Sequence, residues 1–98
     1  MFVAALVCDL LLPAEVGSLK GKRSVVRPLI ADLRRLEVAV GETGHQDLHR
    51  RAEVSVAVVS ATAGRCEEVL DAAERLVASR PEVQLLAAHR LLRSDSDD

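Results

Sequence analysis

Hydrophobic and polar positions change period four times along this chain. Phe2 to Leu12 is apolar everywhere except Asp9, and Pro13 closes the run, so it predicts a strand covered on both faces. Pro13 to Gly17 then reads as a turn, with Ser18 as a helix N-cap. From Leu19 to Leu36, Val26, Leu29, Ile30, Leu33 and Leu36 recur at three- and four-residue spacing, the mark of an amphipathic helix. Pro28 interrupts that helix, so either it kinks there or residues 19 to 24 form a separate turn. Val38 to Thr43 predicts a short strand, and 44 to 50 a polar connection. Arg51 to Ser60 alternates, with Val54, Val56 and Val58 on one face and Ser55, Ala57 and Val59 on the other. Thr62 caps a second helix striped by Cys66, Val69, Leu70, Ala73, Leu76 and Val77, with Glu67 and Glu68 placed in its first turn. Pro81 marks its exit, and Val83 to Leu92 reads as a last strand.

The order β-α-β-β-α-β is the split βαβ arrangement of ferredoxin-like α+β domains, a four-stranded antiparallel sheet with both helices on one face. Residues 1–92 form that single domain, and 93–98 an acidic tail expected to be disordered. Ordinarily the face away from the helices would be polar. Here Ala57 and Val59 stay apolar on it, and the last strand carries Val83 and Leu85 on one side and Leu86, Ala88 and Leu92 on the other. An uncovered apolar face is an interface candidate, and the expected occupant is a second copy, giving a homodimer.

Composition narrows the chemistry. Of 98 residues, Phe2 is the only aromatic, so the core is aliphatic and no aromatic platform for stacking bases is available. The net charge of −2 divides unevenly. Residues 1–51 hold eight Lys/Arg against six Asp/Glu, and 52–98 hold five against nine, so +2 faces −4. Any polyanion must therefore be bound by a local patch. Cys8 and Cys66 are isolated, without metal-type spacing, and read as buried hydrophobes in a reducing compartment. The first apolar run is too short for a membrane span and lacks a basic leader, so a cytoplasmic location is expected.

Two clusters carry candidate chemistry. In "SLKGKRSVVRP", residues 18–28, four of eleven side chains are cations, where a helix start favours acids. At 100° per residue, Lys20, Arg23, Arg27 and Arg34 fall within about 60° of one another, and an anion there would also meet free backbone N–H groups. The competing reading is a solvated face of snorkelling side chains. In "GHQDLHRR", residues 44–51, His45, Asp47 and His49 could face one way on a strand. They suit zinc or acid–base work, but neither a fourth ligand nor a nucleophile accompanies them. Arg50 and Arg51 add positive charge. No cofactor motif is present.

"SLKGKRSVVRPLIADLRR" followed by "VAVGETGHQDLHRRAEVSVAVVS" resembles the bacterial YlxP-like family, a domain of unknown function. The resemblance implies a ferredoxin-like fold and, because such genes often lie beside translation and ribosome-maturation genes, a connection to RNA or the ribosome. It singles out Ser18, Leu19, Lys20, Lys22, Arg23, Glu42, Gly44, Gln46 and Asp47. Gly21 departs from the usual polar residue at its position, and His49 from an aromatic. The leading expectation is a non-enzymatic RNA- or ribosome-associated accessory protein. It would contact phosphates through Lys20, Lys22, Arg23, Arg27, Arg34, Arg50 and Arg51. A dimeric protein-interaction module, and a small metal-binding or hydrolytic protein built on His45, Asp47 and His49, are the alternatives.

Overall fold

A computed structural model of the chain describes residues 1–95. The strands are β1 (Phe2–Leu11), β2 (Ala39–Gly44), β3 (Arg51–Ser60) and β4 (Gln84–Ser94); the helices are α1 (Leu19–Arg34) and α2 (Ala63–Ala78). All strand pairs are antiparallel, in the order β2-β3-β1-β4, which is the expected ferredoxin-like arrangement.

Alternation on the two central strands builds the core. Ala4, Leu6, Cys8 and Leu10 of β1, with Ala52, Val54 and Val56 of β3, are buried towards the helices. Val26, Leu29 and Leu33 of α1 and Cys66, Leu70, Ala73 and Val77 of α2 close over them. Both cysteines are buried and unbridged, and burial pushes the Cys8 thiol up to about 11.

Several elements differ from their sequence reading. Residues 19–24 are not a separate turn, because α1 runs unbroken from Leu19 through Gly21 and Pro28 to Arg34. Ser18 Oγ accepts from Gly21 N at 3.0 Å, fixing the start where expected. Thr62 likewise caps α2, its Oγ1 accepting from Arg65 N at 3.1 Å. Glu67 and Glu68, however, fall beyond the first turn of α2, which holds no acid.

β4 carries the largest correction. Its register against β1 shifts between Asp9 and Leu10, where Leu10 pairs with Leu85 but Asp9 pairs with Ala87. Leu86 is thus an extra residue, a β-bulge that reverses which side chains point which way beyond it. Ala88, Arg90 and Leu92 take the helix side, opposite Cys8, Leu6 and Ala4, so Ala87, His89 and Leu91, not Ala88 and Leu92, look out from the open face. Arg90 reaches α2, with its guanidinium 2.8 Å from Asp71 and 3.1 Å from Glu74. The strand also outruns its expected end. Ser94 belongs to β4, and Asp95 Oδ1 lies 2.9 Å from the N-terminal ammonium, while the rest of the acidic tail, 96–98, lies outside the described residues.

Candidate functional site

The first turns of α1 face the β2–β3 connection, and Lys22 joins them. Although a cation, Lys22 is only 3 % exposed. Its Nζ donates to the His45 carbonyl at 2.7 Å and sits 2.7 Å from Glu42 Oε2. Glu42 Oε2 is itself closed to solvent and accepts no well-directed hydrogen bond, so its pairing with Lys22 is coulombic. A buried cation needs such a partner, because its desolvation is otherwise uncompensated. His45 makes the carbonyl available by adopting a left-handed backbone, φ 56°. Gln46 Nε2 adds a bond to the Glu42 carbonyl at 3.2 Å. Two segments distant in sequence, "SLKGKR" and "GETGHQD", are therefore stitched together at Lys22.

Beside that stitch lies a groove of about 580 Å³ between α1 and the end of β2. Leu19, Val26 and Ile30 give it an apolar floor, Glu42 and Gln46 line its β2 side, and Arg23, Arg27 and Arg34 stand along the helix. Lys20 extends the row, sharing a neighbouring shallow depression with Arg23 and Arg27. None of these four side chains has a hydrogen-bond or ion-pair partner among the described residues. At 1.5 Å per residue, Lys20 to Arg34 spans about 21 Å. Asp32, the one acid of α1, points elsewhere and pairs with Arg80 beyond the end of α2.

The remaining expected cations do not join this row. Lys22 is committed to Glu42 and His45. Arg51 is clamped on Asp9, its Nη2 lying 2.7 and 2.5 Å from the two carboxylate oxygens. That hydrogen bond is the main reason the Asp9 carboxyl is held below the usual carboxylate range. Arg50 lies in a separate depression with Leu11, Pro13 and Pro81.

The histidine cluster does not converge either. His45 Nε2 approaches Asp9 Oδ1 at 3.4 Å, while Asp47 and His49 are exposed. Among the described residues no group of three or more His, Cys, Asp or Glu side chains is placed to hold a metal ion. Gly44 has a steric role, since a Cβ there would meet the Glu53 carboxylate at 2.9 Å. Lys22, expected among the phosphate contacts, is instead buried, and the sequence carries the signal for it. Lys22, Val26, Leu29 and Leu33 share one helical face, which places Lys22 among core residues.

The fold and the paired motifs around this groove define a small ferredoxin-like α+β domain whose distinguishing feature is one cation-lined helix. The chain belongs to the YlxP-like family described as a protein of unknown function, DUF503, whose model matches residues 3–90. No curated protein matches the chain. No helix among the described residues is long and apolar enough to cross a membrane.

Proposed function

We propose that the protein is a non-enzymatic accessory factor that binds RNA, free or within the ribosome, through backbone phosphates laid along the α1 groove. One observation carries the reading: Lys20, Arg23, Arg27 and Arg34 form a row of cations with no acidic partner among the described residues, in a chain whose net charge is −2. Of the other nine Lys and Arg residues, Lys22, Arg51, Arg65, Arg80 and Arg90 are paired with carboxylates among the described residues. Leaving four like charges side by side destabilises the free protein, and a polyanion relieves that repulsion. The positive end of the helix dipole at Lys20 adds to the attraction.

The same groove argues for backbone contact in place of base reading. Its floor is aliphatic, and Phe2, the single aromatic, packs against the core. Recognition would then depend on the shape of structured RNA, with little sequence preference.

The test is to titrate a structured RNA with the wild-type protein and with the Arg23→Glu/Arg27→Glu variant at two salt concentrations. Binding that weakens at higher salt and is lost on charge reversal supports the reading. Affinity indifferent to both, or absent at low salt, rejects it and leaves the row as a solvated helix face.

A further inference from the structure

We infer that the open sheet face is the contact between two copies of this chain, related by a two-fold axis running along the strands. The face has an unusual composition. Across its middle, backbone pairing aligns Ala39, Ala57, Ala5 and Leu91 in one row, from β2 to β4. Towards the chain termini the next row is Val59, Val3 and Arg93, and on the other side lie Gly41, Ser55, Val7 and His89. Arg93 is the one Asp, Glu, Lys or Arg in these three rows. Below them Asp9 is neutralised by Arg51, and Glu53 is bonded by Thr43 at 2.7 Å. Across its middle the face therefore offers a charged partner little beyond Arg93 at one end and Glu53 at the other.

Its relief fits a second copy. Over β2 and β3 the small side chains leave a shallow depression of about 250 Å³, lined by Ala5, Ala39, Gly41 and Ala57 with Thr43 and Ser55 at one side. On the opposite flank Leu91 is 49 % exposed. The strand order β2-β3-β1-β4 puts the midline between β3 and β1. An axis along that midline exchanges β4 with β2 and β1 with β3 while keeping every row at its own level. Leu91 of each copy then descends into the partner's depression, and Val3 meets the partner's Val59, itself 64 % exposed. A different protein could have any relief; this face already carries both halves of the match, in the same row.

The area suffices. Three strands about 33 Å long and a shorter β2 of about 20 Å, spaced about 4.8 Å apart, present roughly 570 Å² per copy, or about 1,100 Å² in total, just above the roughly 1,000 Å² that a specific interface needs. Dimerisation leaves the α1 groove free on the other layer, so this inference does not depend on the proposed RNA binding.

Sedimentation equilibrium of the full chain should give about twice its 10.6 kDa mass at micromolar concentration. Val59→Lys, on a side chain too exposed to matter for folding, should raise the dissociation constant at least tenfold with an unchanged circular dichroism spectrum. Mixing a Leu91→Cys chain with an Ala39→Cys chain and a short bismaleimide should give a cross-linked heterodimer, without interference from the buried Cys8 and Cys66. A monomer at 100 µM overturns the inference. So does a dimer that ignores Val59→Lys, or one that forms no Leu91–Ala39 cross-link, as pairing along the edge of β4 would.

Discussion

Lys22 shows how one side chain can look functional in a sequence and be structural in the fold. Its neighbours Lys20 and Arg23 are exposed, while its own Nζ is enclosed by Glu42 and the His45 carbonyl. Lys22→Met keeps the stem but strands both acceptors. It should lower the unfolding free energy by about 2–3 kcal/mol in urea titration, discounted for the part-exposed Glu42, while Lys20→Met should change it by less than about 0.5 kcal/mol. Adding Glu42→Leu to Lys22→Met should restore part of the loss. Asp9 yields a pH prediction. Its carboxyl titrates lower in the folded than in the unfolded chain, first because Arg51 hydrogen-bonds it. The pair therefore stabilises the fold above the usual carboxylate range, and its contribution disappears as pH falls through and below that range. The stability gap between wild type and Arg51→Gln should be present at pH 7 and shrink towards pH 3. A gap independent of pH would show that Arg51 acts through packing alone.

At the scale of elements, β3 was legible from its alternation, β1 from its apolar run closed by Pro13, and the helices from their three- and four-residue period with a cap, Ser18 for α1 and Thr62 for α2. Continuity of α1 was not, because Gly21 and Pro28 are both poor helix formers and packing of Val26, Leu29 and Leu33 overrides them. Both residues should be improvable. A Cβ at position 21 meets nothing nearer than Ser18 Oγ at 3.4 Å, so Gly21→Ala should stabilise by about 0.5–1 kcal/mol. Pro28→Ala restores a donor to the Ser24 carbonyl. Its gain should be about 1 kcal/mol, below the full ~3 kcal/mol of an interior proline, since losing proline also frees the unfolded chain. Thermal or urea unfolding checks both, and a loss of stability in Pro28→Ala would mean that the ring makes a packing contact that outweighs the missing bond. The bulge in β4 was invisible for a different reason. Leu85, Leu86, Ala87 and Ala88 are all apolar, so alternation cannot reveal that one of them is surplus.

Charge, at the scale of the molecule, is sorted by helix. α1 holds five cations against Asp32, whereas α2 holds Arg65 and Arg75 against Glu67, Glu68, Asp71 and Glu74. If the α1 row is what meets RNA, the slope of log affinity against log salt should be about −3 for four phosphate contacts, and Arg27→Gln should reduce it by slightly less than one. The half-and-half charge division in the sequence foreshadowed this asymmetry, but only the coordinates separate the unpartnered cations from those bound to carboxylates. The surplus residue in β4 has a last consequence. Removing Leu86 would leave Leu85 opposite Leu10 and Ala87 opposite Asp9, so His89 and Leu91 would stay outward and Arg90 would keep reaching Asp71 and Glu74, whereas straightening the ladder with Leu86 still in it would turn all three over. What this protein displays to its surroundings is thus set by where the irregularity sits, and losing that one codon would smooth the strand without turning it over.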